Sequence, residues 1–250
     1  MVPTLRVIYR GIHISIHLGF ALMISTLAPV LYGKHWYRKK SGRQIISWWT
    51  KRTSIILGLN IIQEGQPSES NSLIAANHVS FLDIIVIASL SPATFLSKST
   101  LRFWPIIGFA AKRSGTIFIQ RGSKTTIHRI TGTICHALEQ QRSIVIFPEG
   151  TTTLGNTVKK FHSGLFQSAV NTGTPVQPVA LRYIKNGKPD RTAAYIDKDN
   201  FIVSLIKIMA QANTEVQITY CRLLKPHSMD RAELANKSHQ LISQQLGFKT

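Results

Sequence analysis

Acidic residues are scarce in this chain of 250 residues: 11 Asp and Glu stand against 30 Lys and Arg, a formal net charge of +19. A basic surface on a folded body calls for an anionic partner, and the two common kinds are nucleic acid and the anionic face of a membrane. Cysteine is scarcer still. Cys135 and Cys221 lie far apart, with no C-x-x-C and no histidine at ligand spacing. That excludes a disulfide framework or a zinc site as the basis of the fold, and both cysteines read as reduced, structural thiols. Repeats and low-complexity tracts are also missing. Because 44% of residues are hydrophobic, the charge does not belong to a disordered basic tail. The length suits one α/β domain with a short appendage.

Charge is absent altogether from Gly11 to Gly33, an apolar run carrying Ile12, Ile14, Ile16, Leu18, Phe20, Leu22, Met23, Ile24 and Leu27. About 20 such residues match the thickness of a bilayer core. Arg6 and Arg10 precede the run, while Lys34, Arg38, Lys39, Lys40 and Arg43 follow it, with Trp36 and Tyr37 as interfacial aromatics. The heavier positive flank places the C-terminal side in the cytoplasm, so the expected location is the cytoplasmic (inner) membrane with the site facing the cytoplasm. No small-residue cleavage site precedes the basic cluster, which argues against a removed signal peptide. Pro29 and a second apolar stretch, Ile45 to Ile62, also permit a helical hairpin that dips into one leaflet. His13 and His17 stand one helical turn apart but lack a third ligand, so no metal is expected there.

The polar run from Gln63 to Asn71 breaks this pattern, and the expected division lies there: membrane-binding helices over 1–62 and an α/β domain over 63–250. Short apolar runs predict strands at Ser72–Ala76, Ala93–Ser97, Gly115–Gln120, Ser143–Phe147, Val176–Tyr183 and Glu215–Tyr220. Between them, Ile127, Ile130, Ile134 and Leu138 fall on one face of a helix over Thr125–Gln141. Further helices are expected from near Lys160 and over Asp230–Leu246. The nearly uncharged Phe201–Ala212 reads as a core helix, with a membrane-contacting surface as the alternative. Alternation of this kind implies an α/β fold with a mostly parallel sheet flanked by helices. Functional groups then gather at the C-terminal ends of the strands.

Four clusters stand at or near those ends. The first is Asn77, His78, Val79, Ser80, Phe81, Leu82, Asp83, in which a histidine at a strand tip meets a carboxylate in the next helical turn. Asp83 would hold the tautomer and stabilise the imidazolium, leaving the other ring nitrogen to take a proton from a hydroxyl. Ser80 and Asp83 equally form an S-x-x-D capping arrangement, so the carboxylate could serve the helix start alone. The second cluster, Gly115 to Arg121, delivers an arginine whose guanidinium suits a phosphate, with a merely solvated arginine as the alternative. The third runs from Phe147 through Glu149 and Gly150 to Thr151; its glutamate can accept hydrogen bonds from a polyol, and its glycine lets backbone approach a ligand. The fourth, Val176 to Ala180, contains Pro178, which disfavours a central strand position.

Taken together, NHVSFLD, GTIFIQR, FPEGT and VQPVA make the chain resemble the glycerolipid acyltransferase family typified by bacterial 1-acylglycerol-3-phosphate acyltransferases, closely over Ser72–Tyr183. The resemblance implies an O-acyltransferase with His78 as base and Asp83 as its orienting partner. Arg121, Glu149, Gly150 and Thr151 are then acceptor contacts, and acyl-CoA or acyl carrier protein is the donor substrate, with no cofactor or metal. The implied acceptor is 1-acylglycerol-3-phosphate at the bilayer surface. Thr152 departs from the pattern, because many members carry arginine directly after FPEGT, and LRFWPIIGF and VQPVALRY look like the branch that acylates lyso-ornithine lipid. A hydrolase with Ser80 as nucleophile is a rival. A nucleic-acid binder is another, but the basic residues are scattered and the aromatics sit in apolar runs, so no nucleic-acid partner is expected. A catalytically silent membrane-binding module is the third.

Overall fold

Gly58 divides the second apolar stretch into two different elements. Its φ of +75° ends a helix, and the residues after it run extended and pair as a strand. In the computed structural model, which describes residues 2–119, 124–196 and 199–248, the chain begins with α1 (Pro3–Tyr32) and α2 (Lys40–Leu57). It continues through β1 (Leu59–Glu64), β2 (Leu73–Ala76), α3 (Leu82–Leu90), β3 (Thr94–Lys98), α4 (Ile107–Arg113), β4 (Ile117–Ile119), α5 (Lys124–Glu139) and β5 (Ile144–Ile146). The rest is α6 (Gln167–Thr172), β6 (Val176–Lys185), β7 (Lys188–Pro189), α7 (Phe201–Ala210), β8 (Thr214–Tyr220) and α8 (Arg231–Gln245).

The strands form one sheet in the order β1-β8-β6-β2-β5-β3-β4, with β7 pairing β6. All pairs are parallel except β6–β8 and β6–β7. Side-chain alternation feeds a core on each face. Ile74, Val145, Val179, Leu181 and Tyr183 face one way, with Val86 and Ile87 of α3 and Ile208 and Met209 of α7. Leu73, Ala75, Ile144, Ile146 and Val176 face the other, with Ile134 and Leu138 of α5 and Leu234 and Ile242 of α8.

Three expectations are corrected here. The division after Ile62 falls inside β1, which pairs with β8 over its whole length, so the end of the apolar stretch belongs to the sheet. Arg10 of α1 donates to the carbonyls of Met209, Gln211 and Ala212 at the end of α7, tying the N-terminal helix to the body. A Cβ at Gly58 would strike that guanidinium. Pro178 occupies a central strand, and this is tolerated because the β8 ladder ends at Val179–Tyr220 and Pro178 needs only its carbonyl, which accepts from the Cys221 N–H at 3.0 Å. The helix expected from Lys160 starts later, as a 3-10 turn at Ser163–Phe166 running into α6.

α7 is buried on only one side. Ser204, Ile208 and Met209 face the body while Ile202, Val203 and Ile206 are exposed, so the core reading of Phe201–Ala212 holds for half the helix. α1 is long and apolar enough to cross a membrane, and most of its large apolar side chains are exposed.

Candidate active site

Because β2 lies beside β5 with parallel register, Ala75 opposite Ile146, the segments after the two strands run side by side. His78 follows one strand and Glu149 the other. Asn77 fixes the end of β2 to β6: its side-chain amide donates to the Leu181 carbonyl at 2.9 Å, and its side-chain oxygen accepts from the Leu181 N–H at 2.7 Å. The backbone then turns into α3, which brings Asp83 under the imidazole.

His78 Nδ1 lies 2.7 Å from Asp83 Oδ2. The same carboxylate oxygen accepts the N–H groups of Val79 at 2.8 Å and Ser80 at 3.0 Å, while Oδ1 accepts the Tyr183 hydroxyl at 2.7 Å. Asp83 is wholly buried, so these four donors replace its water shell. With the Nδ1 proton held by Asp83, Nε2 is the acceptor nitrogen, and among the described residues no protein group bonds to it. The ring is stacked on Phe147, centroids 4.0 Å apart, and its side chain keeps 18% exposure. A site that presents an unpaired imidazole nitrogen, backed by an immobile carboxylate, can remove a proton from a hydroxyl that reaches it.

One side chain makes both contacts: the Asp83 carboxylate holds the turn before α3 and also meets the His78 imidazole. Ser80 is not the cap: its hydroxyl is buried without a partner, and the Asp83 carboxylate holds the turn instead. With zero exposure, Ser80 cannot meet a substrate, and the hydrolase rival fails on access.

The second loop grips His78 by its backbone. Glu149 Oε1 accepts the His78 N–H at 2.8 Å, and the Thr153 N–H donates to the His78 carbonyl at 2.9 Å. Glu149 Oε2 accepts the Lys159 N–H at 2.8 Å. Both carboxylate oxygens are thus spent on backbone in a buried position, and the side chain expected at an acceptor headgroup is turned inward under the loop. Burial raises the Glu149 pKa above the usual carboxylate value, against the opposing pull of the two N–H groups. Gly150 has φ +72° in the turn closed by its N–H to the Phe147 carbonyl. An added Cβ would meet only the His162 ring at 3.5 Å, so the glycine is required by backbone conformation and not by crowding. Thr151 and Thr152 follow, both half-buried. Arg121 lies outside the described residues.

Tyr183 escaped the sequence reading. Its signal was its phase: three residues named as core, Val179, Leu181 and Tyr183, alternate on one face of β6, and a tyrosine buried there needs a partner for its hydroxyl. Burial, and then Asp83, push its pKa well above the ordinary phenol value, so it stays a donor. Among the described residues no group of three His, Cys, Asp or Glu could hold a metal ion; His17 instead stacks on Trp49 with centroids 4.7 Å apart.

The chain is similar to known proteins. A family model described as Acyltransferase matches residues 59–182, which include the His78–Asp83 pair and the Glu149 turn. The lyso-ornithine lipid O-acyltransferase of Pseudomonas aeruginosa is 36% identical over 200 residues, 80% of this chain and 77% of that protein. The 1-acyl-sn-glycerol-3-phosphate acyltransferase of Neisseria meningitidis is 31% identical over 188 residues, 74% of this chain and 73% of that one. The crystal structure of the 1-acyl-sn-glycerophosphate acyltransferase of Thermotoga maritima has the same fold, with a TM-score of 0.71 at 20% identity over 98% of this chain and 94% of that one. The chain belongs to the acyltransferase family, and it is an O-acyltransferase.

Proposed function

We propose that the chain transfers a fatty acyl group from acyl-CoA or acyl carrier protein to the free hydroxyl of 1-acylglycerol-3-phosphate. The observation that carries this reading is the His78–Asp83 pair at 2.7 Å, with Nε2 unpaired among the described residues. In the reaction, Nε2 takes the acceptor's hydroxyl proton as its oxygen bonds to the thioester carbonyl carbon. The carbon–sulfur bond then breaks and the thiolate leaves with that proton. Asp83 stabilises the imidazolium between the two steps. Transfer is direct, with no acyl-enzyme: Ser80, the serine that lies between the two members of the pair in sequence, is sealed in the core.

Lyso-ornithine lipid is the second reading of the acceptor. Two observations favour it: Thr152 stands where many family members carry an arginine, and the Pseudomonas relative named for that acceptor is the more similar of the two. Labelled acyl-CoA offered with each lysolipid separates them. With lysophosphatidic acid as acceptor, Arg121→Ala lowers kcat/KM for it by about 10–100-fold, as expected for loss of a charge-assisted contact, and leaves donor use unchanged. Thr152→Arg raises its use by adding a cation near the phosphate. Faster turnover of lyso-ornithine lipid by the unmodified enzyme, with Thr152→Arg slowing it, selects the second reading.

The enzyme works at the cytoplasmic leaflet of the inner membrane in this proposal. α1 supplies the anchor, and the exposed Ile202, Val203 and Ile206 of α7, with Phe103 at 81% exposure, supply a second apolar contact beside the site. Phe201 links that contact to the catalytic turn, its ring 4.9 Å from Phe81 and 4.7 Å from Trp104. High salt is expected to leave the protein in the membrane fraction and detergent to release it, because buried apolar surface outweighs screened attraction. Full release by salt alone would show that charge is the only anchor.

A further inference from the structure

The other end of the sheet, where β2, β3 and β5 begin, carries a cavity of about 260 Å³ that the acyl-transfer chemistry does not use. Arg38, from the turn between α1 and α2, and Arg43, from the first turn of α2, line it together with Arg142 from the loop before β5. One carboxylate, Glu69, also lines it. The ion pairs among the described residues are His78–Asp83 and Lys237–Glu233, so none of these three arginines is engaged in one.

The cluster is built into the fold. Arg142 donates to the Thr94 hydroxyl at 2.7 Å and the Gly115 carbonyl at 3.2 Å, and its guanidinium lies 5.2 Å from the centre of the Tyr37 ring. Arg38 sits 5.8 Å from the same ring. Tyr37 is seated against Gly115, where φ is +87° and any Cβ would collide with the ring. Arg43 donates to the Arg38 carbonyl at 3.1 Å. The Arg38 Nε is buried with no hydrogen-bond partner. Gathering unpaired like charges in a concavity is unfavourable, and an orphaned buried donor adds its desolvation cost. The resulting positive potential also reaches His35, whose pKa is lowered by Arg38 foremost, then by partial desolvation, Lys34 and Arg142.

We propose that this cavity binds a phosphate-type oxyanion. Guanidinium forks match the paired oxygens of a phosphate, the volume suits a phosphate and its immediate substituent, and the one carboxylate leaves a net positive lining. The site is not the acceptor subsite of the reaction. α3 starts at the catalytic turn and ends at Leu90, next to Ser91 on the cavity wall, a rise of roughly 13 Å along the helix. Its source is either free phosphate or the headgroup of an anionic phospholipid, since the cavity opens a few residues beyond Tyr32, where the apolar α1 ends.

Arginine modification by phenylglyoxal, read peptide by peptide in the full-length enzyme, tests this. In detergent at constant ionic strength, inorganic phosphate is expected to slow modification of Arg38 and Arg142 saturably while the exposed Arg129 is unaffected. If the source is lipid, the same protection appears only after reconstitution into phosphatidylcholine vesicles containing phosphatidylglycerol. Arg38→Gln, at a position whose buried Nε has no hydrogen-bond partner to lose, should weaken protection at Arg142 about tenfold with an unchanged melting temperature. Absence of protection in both arms, or equal protection at Arg129, overturns the proposal.

Discussion

Replacing His78 by alanine is expected to lower kcat by about 10²–10⁴-fold, the usual contribution of a positioned general base. The fold should survive the change. When the imidazole is removed, Asp83 keeps the N–H groups of Val79 and Ser80 and the hydroxyl of Tyr183, so its buried charge is still satisfied on three sides. The backbone of residue 78 remains held by Glu149 and Thr153. What packing is lost is one face of Phe147. Single-turnover transfer and thermal melting, measured on the same preparation, check the two halves of this expectation. Near-normal transfer by a folded His78→Ala enzyme would remove His78 from the mechanism.

The pairing of His78 with Asp83 was readable because it is local. Five residues carry the chain from a strand tip to the first turn of a helix, and the residue types alone say what such a pair can do. The strands were readable for a related reason: runs such as Leu73–Ala76 and Ile144–Ile146 are buried on both faces, and a parallel sheet between helix layers gives continuous apolar segments. Features that depend on distant neighbours were not readable. Tyr183 reaches Asp83 across a separation of 100 residues; its phase on β6 signals burial, but nothing near position 183 names the partner. Glu149 is a glutamate in a glycine turn, a setting that fits a ligand contact as well as an inward tether; only the position of the His78 N–H decides between them. β1 was lost inside an apolar stretch because helix and strand join there without a polar break, and Gly58 was the one local sign of the change. α7 was ambiguous because an apolar helix on a sheet has an inner and an outer face of similar composition. Its outer face is where the solvent is expected to be lipid.

Asp83→Asn is the change that separates the charge of Asp83 from its geometry. In a histidine–carboxylate pair the usual hazard of this substitution is an amide nitrogen turned to the imidazole, which forces the wrong tautomer. Here three N–H donors, His78 Nδ1, Val79 N and Ser80 N, converge on Oδ2 within 3.0 Å. An amide NH₂ cannot occupy that position without facing all three. The substituted side chain is therefore expected to place its oxygen there and its nitrogen at the Oδ1 position, where the Tyr183 hydroxyl can rotate from donor to acceptor. The tautomer is preserved, and the loss is that of the negative charge that stabilises the imidazolium. Loss of one charged hydrogen-bond partner, about 1.5–3 kcal/mol, corresponds to a fall of about 10–100-fold in kcat. The double variant Asp83→Asn, Tyr183→Phe is expected to be slower and less stable than Asp83→Asn, because the amide then has no acceptor in a buried position. Rates and melting temperatures of the three proteins test the assignment. A kcat for Asp83→Asn as low as that of His78→Ala would mean that the amide has flipped after all and the backbone donors do not control it.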